Sequence, residues 1–269
     1  MRELYSQGIT EPSLKELEEL AKWYNEKLGN YPVIVGGWAA YIYSKGLGSK
    51  DIDIVFPSAA SMHQTLSAYF LSHGYSERHR GHFGFDKEIV KTVKSGGREV
   101  DIIIDAVSSD RTITFEGSKA RLPWSWASKH NVEKKVGAAT IRIPTVELLL
   151  MYKLGAVFGR NNNLKAGLDF EYYRSKIWKD VHDIAGLSKL EIDGKKVASF
   201  LKESGLDAHK DEIAQIMDDN YTEETRDTVK GADMEKIRKM LIGSGAIIQS
   251  QRKRLAGIIR AFPDKMNAP

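Results

Sequence analysis

The stretch Tyr31-Pro-Val-Ile-Val-Gly-Gly-Trp-Ala-Ala-Tyr-Ile-Tyr-Ser-Lys-Gly-Leu-Gly-Ser-Lys-Asp-Ile-Asp-Ile-Val-Phe56 decides the fold. Val33 to Val35 form a β-branched apolar run suited to a buried strand, and Gly36-Gly37 then lets the backbone turn without a Cβ penalty. A helix follows from Trp38 towards Gly46, so the Gly36 and Gly37 amides fall at a helix N-terminus, where free N–H groups attract an anion. Asp51-Ile-Asp-Ile-Val-Phe56 alternates with period two, which sends both carboxylates to one face of a strand and Ile52 and Ile54 to the other. Two such acids repel unless a cation lies between them, and hard carboxylate oxygens select Mg²⁺ or Mn²⁺. A metal-dependent phosphoryl site is the economical expectation.

A Gly-Gly pair, thirteen intervening residues and an Asp-x-Asp flanked by aliphatics resembles the signature of the DNA polymerase β-like nucleotidyltransferase superfamily. The strings Gly36-Gly-Trp-Ala-Ala40 and Ser49-Lys-Asp-Ile-Asp-Ile54 are similar to its AbiEii-type branch, which includes the nucleotidyltransferase toxins of type IV toxin–antitoxin systems. The resemblance implies an α+β chain: a nucleotidyltransferase-fold mixed β-sheet with flanking helices over residues 1–143, then a helical domain over 144–269 that closes the nucleotide cleft. It implies transfer of a nucleoside monophosphate from an NTP to a hydroxyl acceptor, an RNA or tRNA 3′ end or a protein side chain. In that scheme Gly36, Gly37 and Ser49 hold the triphosphate, while Asp51, Asp53 and a third carboxylate hold Mg²⁺ or Mn²⁺.

Two acids compete for that third place. Glu99-Val-Asp-Ile-Ile-Ile-Asp105 is an isoleucine-rich strand after a Lys94-Ser-Gly-Gly-Arg98 turn. Asp101 and Asp105 share a face but lie about 13 Å apart at strand rise, so only one can join the pair. The superfamily pattern, an acid between aliphatics, is best met by Val100-Asp101-Ile102, and Asp101 is therefore the expected catalytic and metal ligand, with Asp105 left as a solvated or capping acid.

Further strands are expected at 111–115 and 139–143, and helices from the capping-box spacing at Ser13 to residue 28, from 59 to 73 and from 145 to 157. Asn161-Asn-Asn163 then reads as a break before a helix over 169–185. Lys153 and Arg160 lie two turns apart on one face, as Asp180 and Asp183 lie one turn apart on the other helix. Lys153 with Arg160, and Lys179-Asp180-x-x-Asp183, are similar to the later AbiEii-type motifs. That implies a nucleotide-binding role for Lys153, Arg160, Lys179 and Asp180. Beyond residue 187 the glycine-broken pattern gives helices near 193–204, 209–219, 232–242 and 246–261.

His79 and His82, in an Arg/Gly-rich segment without a second ligand cluster, read as hydrogen-bonded or solvated. The basic run Gln251-Arg-Lys-Arg254 with Arg260 reads as a solvated face. No cysteine is present, which excludes disulfides and thiolate metal sites and fits a cytoplasmic protein. The charge of +4 suits a nucleotide or RNA partner without requiring one, and no apolar run is long enough for a membrane partner. Two other functions suit the same strings: transfer to a small molecule of aminoglycoside type, which calls for an acidic acceptor cleft, and an idle binding or antitoxin-like module. Survival of the acids favours an enzyme.

Overall fold

The computed structural model describes residues 5–78 and 85–242, so His79 and His82, and the basic run from Gln251, lie outside the described residues. Helix α1 (Gln7–Leu28) leads into β1 (Val33–Ile34), α2 (Gly36–Ser44), β2 (Asp51–Phe56) and α3 (Ala59–Thr65), which a π-helical and a 3-10 turn prolong to His73. Strands β3 (Ser76–Arg78), β4 (Lys87–Ser95) and β5 (Arg98–Ser108) follow, then β6 (Thr112–Thr114), β7 (Arg121–Pro123), α4 (Ser125–Lys129), β8 (Asn131–Val136) and β9 (Ala139–Pro144). The rest is helical: α5 (Val146–Lys165), α6 (Phe170–Leu187), α7 (Gly194–Ser204), α8 (Lys210–Asn220), α9 (Glu223–Thr228) and α10 (234–242).

Seven strands make one mixed sheet in the order β3-β4-β5-β2-β1-β9-β8, while β6 and β7 pair apart from it. Strand β2 runs antiparallel to β1 and parallel to β5, so this is the expected α+β mixed sheet with flanking helices and a helical C-terminal region. The two sheet faces carry two cores. Ile52, Ile54, Ile102 and Ile104 pack with Leu17, Leu20 and Tyr24 of α1 and Trp38 of α2. Val33, Val55 and Val107 on the opposite face pack with Leu148, Leu154 and Phe158 of α5 and Val181 and Ile184 of α6. The helical stretch after residue 144 thus shares its core with the face that bears Asp51 and Asp53.

Two helix boundaries differ from the sequence expectation, each for a local reason. Helix α1 begins at Gln7 and runs through Pro12, although proline cannot donate to the Gly8 carbonyl one turn back. Ser95 Oγ donates to that carbonyl at 3.1 Å, and Ser13, instead of capping the helix, is buried and accepts from Trp38 Nε1 at 3.0 Å. Helix α5 runs on to Lys165, so Asn161-Asn-Asn163 does not break it; apolar packing of its upstream turns outweighs the weak propensity of three asparagines.

Strand β1 is too short to cover all of β9, and α1 makes up the deficit. Asn25 Nδ2 donates to the Thr140 carbonyl and Asn25 Oδ1 accepts from the Thr140 N–H, both at 2.9 Å. Replacing Asn25 by Ala strands both backbone groups. It should cost about 1–3 kcal/mol, seen as a lower denaturant midpoint at unchanged slope.

Candidate active site

The β1–α2 turn is built for close approach. Gly36 has φ +64°, and a Cβ there would stand 1.8 Å from Asp53 Oδ2. A Cβ on Gly37 would meet Ser49 Oγ at 2.6 Å. Only glycine fits either place, because the carboxylate of Asp53 and the hydroxyl of Ser49 press against the first turn of α2. No side chain caps that helix start, which leaves its first N–H groups to an anion.

Register then decides the third acid. In the parallel β2–β5 pair Asp51 stands opposite Ile103 and Asp53 opposite Asp105, so Asp105 is the immediate neighbour of Asp53 on the same face. The expectation for Asp101 is corrected. Asp101 precedes the first β2–β5 pair, where β5 has only β4 beside it, and its exposed carboxylate accepts from Thr92 Oγ1 at 2.6 Å and pairs with Arg78 at 3.3 Å. The β4–β5 turn at Gly96-Gly97 lets this hairpin overhang β2, a length that the β5 sequence alone does not disclose.

The helices supply the opposite charge. Lys153 and Arg160 of α5 face Lys176, Lys179, Asp180 and Asp183 of α6, and all but Lys176 and Arg160 are buried. Lys153 Nζ lies 2.9 Å from Asp180 Oδ1 and 2.7 Å from Asp183 Oδ2; Lys179 Nζ lies 2.5 Å from Asp183 Oδ1, and Arg160 pairs with Asp180. Lys176, on the same α6 face one turn before Lys179, crosses to the sheet and reaches Asp51 Oδ2 at 2.6 Å. Sequence reasoning passed over Lys176, and the only signal for it was that i, i+3 spacing from Lys179.

One cleft therefore joins Gly37, Ser49, Asp51, Asp53 and Asp105 on the sheet side to Lys153, Arg160, Lys176, Lys179 and Asp180 on the helical side, with Tyr5 and Tyr172 beside them. An apolar lobe continues past Gly36, Asp53 and Lys153 to Phe85, Trp124 and Tyr152, whose last two rings stack at 5.0 Å. Of the residues singled out in the sequence, Gly36, Gly37, Ser49, Asp51, Asp53, Lys153, Arg160, Lys179 and Asp180 are brought together here, and Asp101 is not.

Burial and mutual repulsion set the protonation pattern. Burial, then Asp53 and Asp51, raise the Asp105 carboxyl well above its ordinary value, and burial with Asp51 raises Asp53. Burial also opposes the charge on Asp51, but Lys176, with Lys50 and Arg160, outweighs it and holds that carboxyl low. Burial brings the Lys179 ammonium down to about 8 against the pull of Asp183. Asp51 Oδ1 and Asp105 Oδ1 are buried with no hydrogen-bond partner among the described residues. Such orphaned acceptors, all oxygen, fit a hard divalent cation. Among the described residues no three potential ligand side chains yet stand close enough to hold an ion, Asp51 being drawn to Lys176.

No family model and no curated protein matches the sequence. Among solved structures, the chain is similar in shape to an antigenic nucleotidyltransferase-like protein from Paracoccidioides brasiliensis at 14% identity and TM-score 0.45, over 78% of this chain and 94% of that one. ANT(2")-Ia in complex with adenylyl-2"-tobramycin matches at 12% identity and TM-score 0.42, over 72% and 98%. JHP933 from Helicobacter pylori matches at 14% identity and TM-score 0.39, over 93% and 98%. Likenesses this distant carry no argument about chemistry. No helix among the described residues is long and apolar enough to cross a membrane.

The raised carboxyls fix a sign for the pH dependence of stability. A group whose folded pKa exceeds its unfolded value stabilises fully below the unfolded value, and that contribution is lost as pH rises through the folded one. In chelator the contribution of Asp53 and Asp105 should be lost as pH climbs above about 4, while His182, lowered to about 4 by burial, acts in the opposite sense up to its ordinary value. Asp105→Asn, which removes one repelling charge, should melt a few degrees higher than wild type at pH 7, about 2–4 °C per kcal/mol, with the gap closing towards pH 4.

Proposed function

We propose that the chain is a divalent-cation-dependent nucleotidyltransferase that moves a nucleoside monophosphate from an NTP to a hydroxyl acceptor. One observation carries this reading: Asp53 and Asp105 are register partners beside Asp51, next to the uncapped Gly36-Gly37 helix start and across from a bank of lysine and arginine. Three acids, two of them with an orphaned oxygen, and an anion seat within one cleft match the two needs of phosphoryl transfer, a cation site and a polyanion site.

Mg²⁺ or Mn²⁺ held by Asp51, Asp53 and Asp105 would absorb charge developing on the reacting phosphate. The α2 amides and Ser49 bind the β- and γ-phosphates, and Lys179 and Lys153 neutralise them from the helical side. The apolar lobe at Phe85, Trp124 and Tyr152 suits the flat base. Asp105, ionised beside the cation, takes the proton of the acceptor hydroxyl. The acceptor oxygen bonds to the α-phosphorus as the bridge to the β-phosphate breaks, and pyrophosphate leaves. Asp180 and Asp183 keep Lys153 and Lys179 pointed into the cleft. The acceptor is an RNA 3′ end or a protein side chain, as in the AbiEii-type toxins whose strings this sequence resembles. A toxin-like role belongs to that same proposal.

Incubation with each α-labelled NTP, Mg²⁺ and total cellular RNA or protein tests this directly. Label should enter one acceptor class with wild type. Asp105→Ala should cut incorporation by about 10²–10³-fold or more, whereas Asp101→Ala, which removes only an exposed ion pair, should stay within about fivefold. Equal loss in both variants would count against the assignment of Asp105, and no label in any acceptor would count against transfer itself.

A further inference from the structure

The charges around the cleft divide unevenly. On the helical side Lys153, Arg160 and Lys179 pair with Asp180 and Asp183. On the sheet side Asp51, Asp53 and Asp105 stand together, and Lys176 pairs with Asp51.

Lys176 sits where a divalent ion would compete. Its Nζ takes Asp51 Oδ2 at 2.6 Å while the other oxygen of that carboxylate, Oδ1, stays buried and unpartnered. An ammonium is a single point charge on a flexible stem and imposes no coordination geometry, so it holds one oxygen where a divalent ion would draw several together. Lys176 Nζ also lies 5.6 Å from the centroid of the Tyr172 ring, and the side chain keeps partial access to solvent. The same α6 face carries Lys179, whose ammonium lies 3.8 Å from the place a Gly37 Cβ would take, so a released Lys176 remains in the cleft beside the anion seat.

We propose that Lys176 is a built-in stand-in for the divalent cation: it holds Asp51 in the ligand-free protein, is displaced when a metal ion binds, and is then free to pair with the phosphates of the incoming nucleotide. The proposal rests on the nucleotidyltransferase reading of the site and adds a residue that couples its two ligands. Two cations that share one carboxylate oppose each other's binding by a common factor, so removal of the lysine strengthens the metal site. Removal also deletes a phosphate partner, so nucleotide binding moves the other way.

The test is titration of the full chain with Mn²⁺ alone, without nucleotide and at fixed ionic strength, followed by heat or by the Mn²⁺ electron-spin signal. Lys176→Met should bind Mn²⁺ at least about tenfold more tightly than wild type, and Lys176→Arg, which keeps the charge, should stay near wild type. Lys176→Gln, a polar and uncharged replacement, serves if the methionine variant folds poorly. In a second arm, with Mg²⁺ saturating, a non-hydrolysable NTP should bind Lys176→Met about tenfold more weakly. Mn²⁺ uptake at equal or lower affinity in the neutral variants would overturn the stand-in role alone. Unchanged or tighter NTP binding would overturn the transfer of Lys176 to phosphate. Failure of every protein to bind Mn²⁺ would remove the metal site under the proposed function, and this proposal with it.

Discussion

Three carboxylates forced onto one patch of sheet are the constraint to which the rest of the molecule answers. Neighbouring strands lie about 4.8 Å apart, so the register that sets Asp53 opposite Asp105 fixes their repulsion before any side chain moves. Relief is available by protonation, by a cation from the protein or by a cation from solution. The molecule shows the first two: Asp105 and Asp53 hold protons more tightly than ordinary acids, and Lys176 takes Asp51. Proton uptake at one acid and a lysine at its neighbour are what the proposed divalent ion would replace.

The helices show the complementary economy. Burying Lys153, Lys179, Asp180 and Asp183 costs several kcal/mol per ion in desolvation, and well-packed apolar side chains of the same volume would hold α5 to α6 at least as well. Stability alone does not account for them. The proposed polyanion would account for them, because charges already desolvated and held by one another need little reorganisation when such a ligand arrives. The lowered ammonium of Lys179 is the cost of that preorganisation.

What could be read from the sequence was whatever the local chain determines. Gly36-Gly37, Asp51 and Asp53 lie in one strand–turn–helix–strand unit, where period two and the need for glycine act over a few residues. Helical spacing put Lys153 and Arg160 on one face, whereas the role read for them and for Lys179 and Asp180 came from resemblance to the AbiEii-type motifs. Asp105 was not, because its role depends on how far β5 slides along β2, and that offset is set by the β4–β5 hairpin and its overhang. Superfamily pattern pointed to Asp101, whose aliphatic neighbours match equally well; Val100-Asp101-Ile102 and Ile104-Asp105-Ala106 differ too little for composition to separate them. The capping-box spacing at Ser13 and the run Asn161-Asn-Asn163 misplaced helix ends because distant partners, Trp38 and Ser95 in one case and the α5 core in the other, outweighed local signals.

The glycines carry the same lesson into the chemistry. Asp53 approaches Gly36 so closely that the acid and the helix start form a single rigid object, and Ser49 against Gly37 repeats the device one residue on. A cation held by Asp53 would then stand at a fixed offset from the α2 amides, whatever the side chains of the helical half do. The proposed cation and anion seats would be locked together by two missing Cβ atoms, which would leave Lys176, Lys179, Lys153 and Arg160 as the parts that adjust to a substrate. Division into a rigid sheet edge and an adjustable helical bank follows from backbone geometry before any ligand is considered.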